Sequence, residues 1–157
     1  MPELSLDQAN HLIAGSLNKA REMGLSPISV AVLDAGGHLK AMQREDGQSF
    51  LRAQICQAKA WGALALGTDS RHIADRYEQE LRQQGLIDAL NSMSDGKVIP
   101  LPGGLLIKNQ AGETLGAVGV AGALSEEDEQ CALAGIHALE LLPPNRISSD
   151  PNQTRSA

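Results

Sequence analysis

The chain has 157 residues, enough for one domain with a buried core, and its 42% hydrophobic and 20% charged residues are typical of a soluble globular protein. Nineteen acidic residues against thirteen Lys and Arg give a net charge of −6, which argues against nucleic-acid binding, and the sequence contains no basic cluster that would favour it. No apolar run approaches the roughly 20 residues of a membrane span. Residues 1–5 lack the basic and apolar segments of a signal peptide, so we expect a cytosolic protein.

The first 24 residues predict a helix. Ser5 and Gln8 have the spacing of a capping box, and Gly24 is a typical helix stop. Apolar residues recur between them at helical spacing, at Leu6, Ala9, Ile13, Leu17 and Ala20. Pro27 then begins the first strand, a position at which a residue without an N–H group costs the sheet no hydrogen bond.

A strand–turn–strand pattern occurs twice, at residues 28–42 and 105–120. Each copy contains an apolar run, an Ala-Gly turn and a second apolar run, and Ala35-Gly36 corresponds to Ala111-Gly112. Two hairpins of this kind predict a small antiparallel sheet.

Helices are predicted between the two hairpins. One runs from Ser49 to Gly67, and a second extends to Leu81. A polar turn at residues 83–85 then leads to a short helix over residues 86–93. Cys56 and Cys131 are predicted in helices, as reduced, buried thiols without a disulfide.

A last helix begins at Ser125, whose Ser-x-x-Asp spacing predicts a cap, and the prolines at 143–144 stop it after Leu142. Residues 1–142 are therefore predicted to form a single domain, and the polar residues 143–157 a disordered tail. The order α, ββ, helical insert, ββ, α predicts an α+β domain with helices packed on an antiparallel sheet.

Lys59 is the first candidate functional residue. Its helical neighbours are small or apolar: Ile55, Cys56, Gly62 and Ala63. Two interpretations remain open. Either the lysine lies at the boundary of the core with its ammonium reaching water, or it projects into a pocket to bind an anion or act as a base.

Arg44 follows the second strand of the first hairpin. Strand alternation places it on one face with Lys40 and Met42, opposite Leu39. A guanidinium at this position suits a ligand carboxylate, and an internal salt bridge to Asp46 or Asp34 explains it equally well.

Each of three further features has both a structural and a functional explanation. Pro102-Gly103-Gly104 forms a rigid bend that turns the chain into a strand or offers N–H groups to an anion. Gly119 leaves a gap on one strand face for a ligand, a helix or a second subunit. Asp128 lies in the first turn of the last helix, where it is a cap residue or a catalytic acid.

The four histidines are not spaced as metal ligands: His11, His38, His72 and His137. A single imidazole nevertheless suffices as an axial ligand of haem. We therefore predict no metal site built from protein side chains alone.

Several motifs together resemble the GlcG/HbpS-like family. Residues 30–39 with Arg44 look like its signature, and its later motifs are matched in order by Lys59-Ala60 and three further segments: residues 101–104, 116–122 and 127–129. The resemblance extends over about residues 5–140. It implies a three-layer α/β/α, profilin-like fold with an antiparallel sheet of four to five strands, and homo-oligomers that are often octamers.

The resemblance also implies a range of functions. Some relatives bind or degrade haem, others resemble the C-terminal domain of PduO-type cobalamin adenosyltransferases, and others belong to catabolic operons without an assigned activity. It does not assign a haem ligand to a particular histidine.

Two functional hypotheses follow, beside an accessory protein with no site. The first is a cytosolic homo-oligomer that binds haem or a related tetrapyrrole at a shallow site, with Arg44 and Lys59 facing its propionates. The second is a catabolic enzyme in which Arg44 holds a small carboxylate and Lys59 or His38 is the acid/base. The predicted site comprises the catalytic residues Lys59 and His38 and a ligand-binding set of Arg44, Pro102, Gly103, Gly104, Gly119 and Asp128.

Overall fold

A computed structural model of the chain describes residues 3–142. The elements in this range are, in order, α1 (Leu6–Glu22), β1 (Ser29–Asp34), β2 (Leu39–Arg44), α2 (Phe50–Leu66), α3 (Ser70–Gln79), α4 (Leu81–Met93), β3 (Gly104–Lys108), β4 (Thr114–Ala121) and α5 (Ser125–Glu140). The predicted tail at 143–157, which includes the two prolines expected to stop the last helix, lies outside the described residues. The capping box of Ser5 and Gln8 on α1 is confirmed.

The two hairpins join into one sheet, as predicted. The strand order is β2-β1-β4-β3, and every neighbouring pair is antiparallel. The sheet is therefore built around β1 and β4, which connect the two hairpins at their centre. The predicted α+β class is confirmed.

Helices cover both faces of the sheet, because β1 and β4 alternate between two apolar surfaces. One face packs on α1 and α5 through four valines: Val30, Val32, Val118 and Val120. The other face carries mostly small residues against α2, namely Ala31, Ala117 and Ala121, together with the larger Leu33. The result is the three-layer arrangement that the resemblance implied.

Small residues bring α2 very close to the sheet. A Cβ atom at Gly119 would clash with the carbonyl oxygen of Cys56, and one at Gly104 with the carbonyl oxygen of Lys59. Because both glycines lack a Cβ, the α2 backbone rests almost directly on β3 and β4. The gap that the sequence indicated at Gly119 is filled by a helix.

The break between α3 and α4 differs from the prediction. It lies at Glu80, whose extended backbone separates the two helices, and Gly85 is inside α4 rather than in a turn. The break lets α4 fold back so that Ile87 packs against Ile73 and Val98. Burial of this small cluster outweighs the weak helix propensity of Gly85.

The faces of β2 also differ from simple alternation. The register shifts between Val32 and Leu33, so that Leu39 pairs with Leu33 and Lys40 becomes the extra residue of a bulge. Leu39 therefore shares the α2 side of the sheet with Met42 and Arg44, and the prediction that grouped Lys40 with them was wrong.

Candidate functional site

The predicted site residues separate into two groups. Lys59, Asp128 and the three glycines lie together in the interior, with Pro102 also buried, where α2 crosses the end of β4. His38 and Arg44 lie on the surface. The fold therefore does not gather all eight residues around one cavity.

Lys59 and Asp128 form a buried ion pair. The Nζ atom of Lys59 donates to Oδ2 of Asp128 at 3.0 Å and to the carbonyl oxygen of Val120 at 2.9 Å. The other carboxylate oxygen of Asp128 accepts the N–H of Ala123 at 3.0 Å. The side chains are only 2% and 1% exposed, so a ligand cannot reach either group unless the fold opens.

Burial dominates the electrostatics of this pair. Desolvation lowers the pKa of Lys59 and raises the pKa of Asp128, and the opposite charge of each partner opposes the shift of the other. The hydrogen bonds of the pair link α2, β4 and the loop before α5. Leu124 rather than the predicted Ser125 is the N-cap of α5, and its N–H is accepted by the side chain of Glu127. Asp128 instead fixes the loop before the helix through the N–H of Ala123.

The Pro102-Gly103-Gly104 bend closes over the lysine. A Cβ atom at Gly103 would lie 3.0 Å from Nζ of Lys59, and the φ angle of Gly103 is 122°, where other residues are strained. The carbonyl of Gly103 accepts from Val120, and the N–H of Gly104 donates to Ser70 Oγ at 2.7 Å. Both groups are therefore used within the fold.

His38 is held at the turn of the first hairpin by Asp34. The Nδ1 atom of His38 lies 3.3 Å from Oδ1 of Asp34, and the imidazole is 82% exposed. The same carboxylate oxygen accepts the N–H groups of His38 and Gly36. These backbone bonds, that of His38 first, lower the pKa of Asp34, so its carboxylate is ionised at neutral pH. With Nδ1 beside Asp34, the Nε2 atom lies on the other edge of the exposed ring.

A cavity of about 410 Å³ adjoins His38 on the α1/α5 side of the sheet. Its wall combines the apolar side chains of Leu4 and Leu115 with the charged side chains of Glu3 and Lys40. The turn residues 34–36 complete it. The site therefore offers an imidazole beside a carboxylate, an apolar surface, the ammonium group of Lys40 and a second carboxylate from Glu3.

Arg44 lies at the opposite end of the hairpin. It pairs with Ser29 at the start of β1, whereas His38 follows Asp34 at the end of β1. Five residue steps of about 3.4 Å separate these ends. The guanidinium forms no salt bridge with any residue in the range 3–142, so the internal partners proposed for it, Asp46 and Asp34, do not hold it.

Sequence reasoning missed two features of this region. The first is the pairing of Asp34 with His38, for which the four-residue spacing across an Ala-Gly-Gly turn was the available signal. The second is a groove of about 450 Å³ between α2 and β2, lined by Trp61, Leu33 and Leu39. Nothing local in the sequence indicated this groove, because the β2 bulge places Leu39 there.

A family model described as "Haem degrading protein HbpS-like" matches residues 4–137. The chain belongs to the HbpS-like family. The match spans every element from α1 to most of α5, including the His38 turn and the Lys59–Asp128 pair. This confirms the family that the sequence motifs resemble.

Individual relatives of this HbpS-like chain agree with that assignment. It is 25% identical over 138 residues to the corrinoid adenosyltransferase PduO of Citrobacter freundii, covering 88% of this chain but only 39% of the relative. The crystal structure of the Klebsiella pneumoniae protein ORFY is similar with a TM-score of 0.80 and 26% identity, covering 88% of this chain and 92% of that one. A crystal structure described as a PduOC:heme complex has a TM-score of 0.77 and 25% identity, covering 87% and 94%.

The described part of the HbpS-like chain contains neither a helix that could span a membrane nor a cluster of metal-ligating side chains. Within residues 3–142, no helix combines the length and hydropathy needed to cross a lipid bilayer. In the same range, His, Cys, Asp and Glu side chains do not assemble into a group of three or more that could hold a metal ion.

Proposed function

We propose that this HbpS-like protein binds haem or a related tetrapyrrole, with His38 as the axial ligand. The observation that carries the proposal is the contact of 3.3 Å between His38 Nδ1 and the Asp34 carboxylate. A carboxylate on one ring nitrogen orients an imidazole and increases the basicity of the other nitrogen, which is the usual arrangement behind a metal-ligating histidine. The haem complex of a relative with the same fold supports this ligand class.

The residues around His38 suit a haem group. Haem has an apolar ring and two carboxylates. The adjoining cavity offers Leu115 and the edge of the largely buried Leu4 to the ring and Lys40 to a carboxylate. Glu3 and Asp34 contribute acidic groups to the same wall. An imidazole nitrogen supplies the iron ligand. Bound haem would contribute an iron centre capable of electron transfer and oxygen chemistry. The chain itself would hold the ring, ligate the iron and neutralise one propionate.

Lys59 and Arg44, predicted earlier to face the propionates, are less suited to that role than Lys40. Lys59 donates its hydrogen bonds inside the core, and Arg44 lies at the far end of the hairpin. The same separation disfavours the alternative of a carboxylate-processing enzyme, because Arg44, Lys59 and His38 do not surround one small molecule within a single copy. The catabolic setting, the cytosolic location and assembly into homo-oligomers such as octamers stay part of this proposal.

Titration of the apo-protein with hemin tests the proposal. The wild type should give a saturable shift of the Soret band, and His38→Ala should abolish it. His11, His72 and His137 are also exposed, so their alanine variants are matched controls that should keep the shift. Absence of a saturable shift in the wild type would exclude haem. A full shift in His38→Ala would reassign the ligand.

A further inference from the structure

The groove on the α2 side of the sheet holds two charged groups that the haem proposal does not use. It has a volume of about 450 Å³, within the usual size of a small-molecule site, and is formed by α2, the tip of the first hairpin and the loop after α4. The hairpin turn separates it from the cavity beside His38, because Gly36 lines that cavity and Gly37 lines the groove. The two sites are therefore distinct.

One part of the groove is apolar. Leu33 and Ala58 form its buried floor, and Leu39 and the indole of Trp61 form its accessible sides. Leu39 is 51% exposed, and Trp61, the only tryptophan of the chain, is half-buried. An apolar or aromatic group of a ligand would cover this surface and exclude water from it.

The other part of the groove carries one positive and one negative charge. Lys97 and Asp95 line it from the loop after α4, and the ammonium of Lys97 lies 5.4 Å from the centre of the Trp61 ring. Neither charged group forms a salt bridge with the other or with any residue in the range 3–142. Both charges are therefore available to a ligand.

The carboxylate of Asp95 is not required by the backbone around it. Asp95 follows α4 with a φ angle of 58°, and within residues 3–142 it is the one residue other than glycine with a positive φ. Glycine or asparagine is the usual residue at this position after a helix. The strain of a side chain in this conformation occurs preferentially at ligand sites. A role of the carboxylate in binding accounts for an acidic residue here.

We propose that the groove binds a free α-amino acid with a large apolar or aromatic side chain. The side chain of the ligand lies against Leu39 and Trp61. Its carboxylate contacts the ammonium of Lys97, and its ammonium contacts the carboxylate of Asp95. An α-amino acid carries two opposite charges on one short segment, which matches two opposite charges separated by a single residue. A ligand with only one charge would gain one of these contacts and meet a like charge as well. This site goes beyond the proposed haem function and does not depend on it.

Tryptophan fluorescence reports on this groove, because Trp61 lies in its wall and is the only tryptophan. L-Phenylalanine is a suitable probe, since tryptophan can be excited selectively in its presence, and it should give a saturable change. Phenethylamine lacks the carboxylate and hydrocinnamate lacks the ammonium, so each should bind about 3-fold to 10-fold more weakly. Isothermal titration calorimetry measures the same affinities without relying on the tryptophan.

Two variants assign the charges. Lys97→Met should weaken L-phenylalanine binding by about 3-fold to 10-fold and should bind phenethylamine, which has no carboxylate, no more weakly than the wild type does. Asp95→Asn should weaken L-phenylalanine binding to the same degree and leave hydrocinnamate binding no weaker, and asparagine keeps the turn because it tolerates a positive φ. Lys108→Met and Asp88→Asn change exposed groups outside the groove and are the matched controls, which should bind L-phenylalanine as the wild type does.

Three results would overturn the proposal. They are no binding of L-phenylalanine at millimolar concentration by either method, analogues that bind as tightly as L-phenylalanine, and an unchanged L-phenylalanine affinity in either charge variant. Lys97→Met should also keep the hemin-induced Soret shift, because the haem site lies on the other side of the hairpin turn. Loss of amino-acid binding with an intact Soret shift, or the reverse, therefore tells the failure of one proposal from the failure of the other.

Discussion

The Nζ atom of Lys59 lies 3.0 Å from Oδ2 of Asp128, and both side chains are almost completely buried. Lys59 comes from α2 on one side of the sheet, and Asp128 from the first turn of α5, which packs on the other side. Their contact passes the end of β4, where the carbonyl of Val120 takes a second hydrogen bond from the lysine. The pair therefore connects the three layers of the fold.

Removing one partner of this pair should be strongly destabilising. Lys59→Met leaves the Asp128 carboxylate buried without its cation, and we expect a loss of about 3–5 kcal/mol in the free energy of unfolding. Urea denaturation measures this loss. Lys59→Met with Asp128→Asn should be more stable than Lys59→Met alone, because no charge is stranded. Lys108→Met, at an exposed lysine, should change stability by less than about 0.5 kcal/mol.

This prediction also separates a structural role of Lys59 from a role in ligand binding. Any folded fraction of Lys59→Met should still show the hemin-induced Soret shift, because His38 lies in a different part of the molecule. If a Lys59 variant with wild-type stability lost the Soret shift, Lys59 would have to be part of the hemin-binding site.

Gly119 and Gly85 should respond in opposite ways to alanine. A Cβ atom at Gly119 would clash with the Cys56 carbonyl and lie 2.9 Å from the amide nitrogen of Ala60, so α2 would have to move off the sheet. We expect Gly119→Ala to cost at least about 1–3 kcal/mol. Gly85 is inside α4 with open space around it, and Gly85→Ala should raise stability by about 0.5–1 kcal/mol. Thermal unfolding of the two variants compares them directly, and a stabilising Gly119→Ala would contradict the close packing of α2.

The two cysteines should be inert in the folded protein. Burial raises the pKa of Cys56 to about 12 and that of Cys131 to about 11, so neither forms an appreciable amount of thiolate at pH 8. Iodoacetamide at pH 8 should leave both thiols unmodified in the native state and alkylate both in urea, as read by intact mass. Rapid native alkylation of either thiol would show that its helix opens readily.

Asp34→Asn should weaken hemin binding by about 10-fold to 100-fold without abolishing it, because the imidazole loses its orienting carboxylate but keeps its nitrogen ligand. The pKa of Asp34 lies below its ordinary value, so the carboxylate is ionised across the neutral range. The difference between wild type and variant should therefore be the same at pH 7 and pH 9. Asp88→Asn, at an exposed carboxylate outside the cavity, is the control that should bind hemin normally. Equal affinity of Asp34→Asn and the wild type would exclude the positioning role.

Local sequence signals predicted most elements, because these signals depend on neighbouring residues. The capping box at Ser5, the left-handed C-cap at Gly67 and the Ala-Gly turns of both hairpins appear as predicted. The break at Glu80 and the bulge at Lys40 were not predicted. The break at Glu80 depends on the packing of Ile73 against Ile87, which overrides local propensity. The bulge is a feature of how β2 pairs with β1, and alternation along a single strand does not reveal it.

The sequence by itself determined the order of the helices and strands and the family signature, since both are carried by residues a few positions apart. The tertiary structure decided which charges meet. Lys59 and Asp128 are 69 positions apart, and only the crossing of α2 over β4 brings them together in the interior. Lys59 was therefore recognisable as a lysine among apolar neighbours, but its partner was not. Arg44 and His38 are close in sequence yet separated by the length of a strand, because an extended backbone carries them to opposite ends of one hairpin.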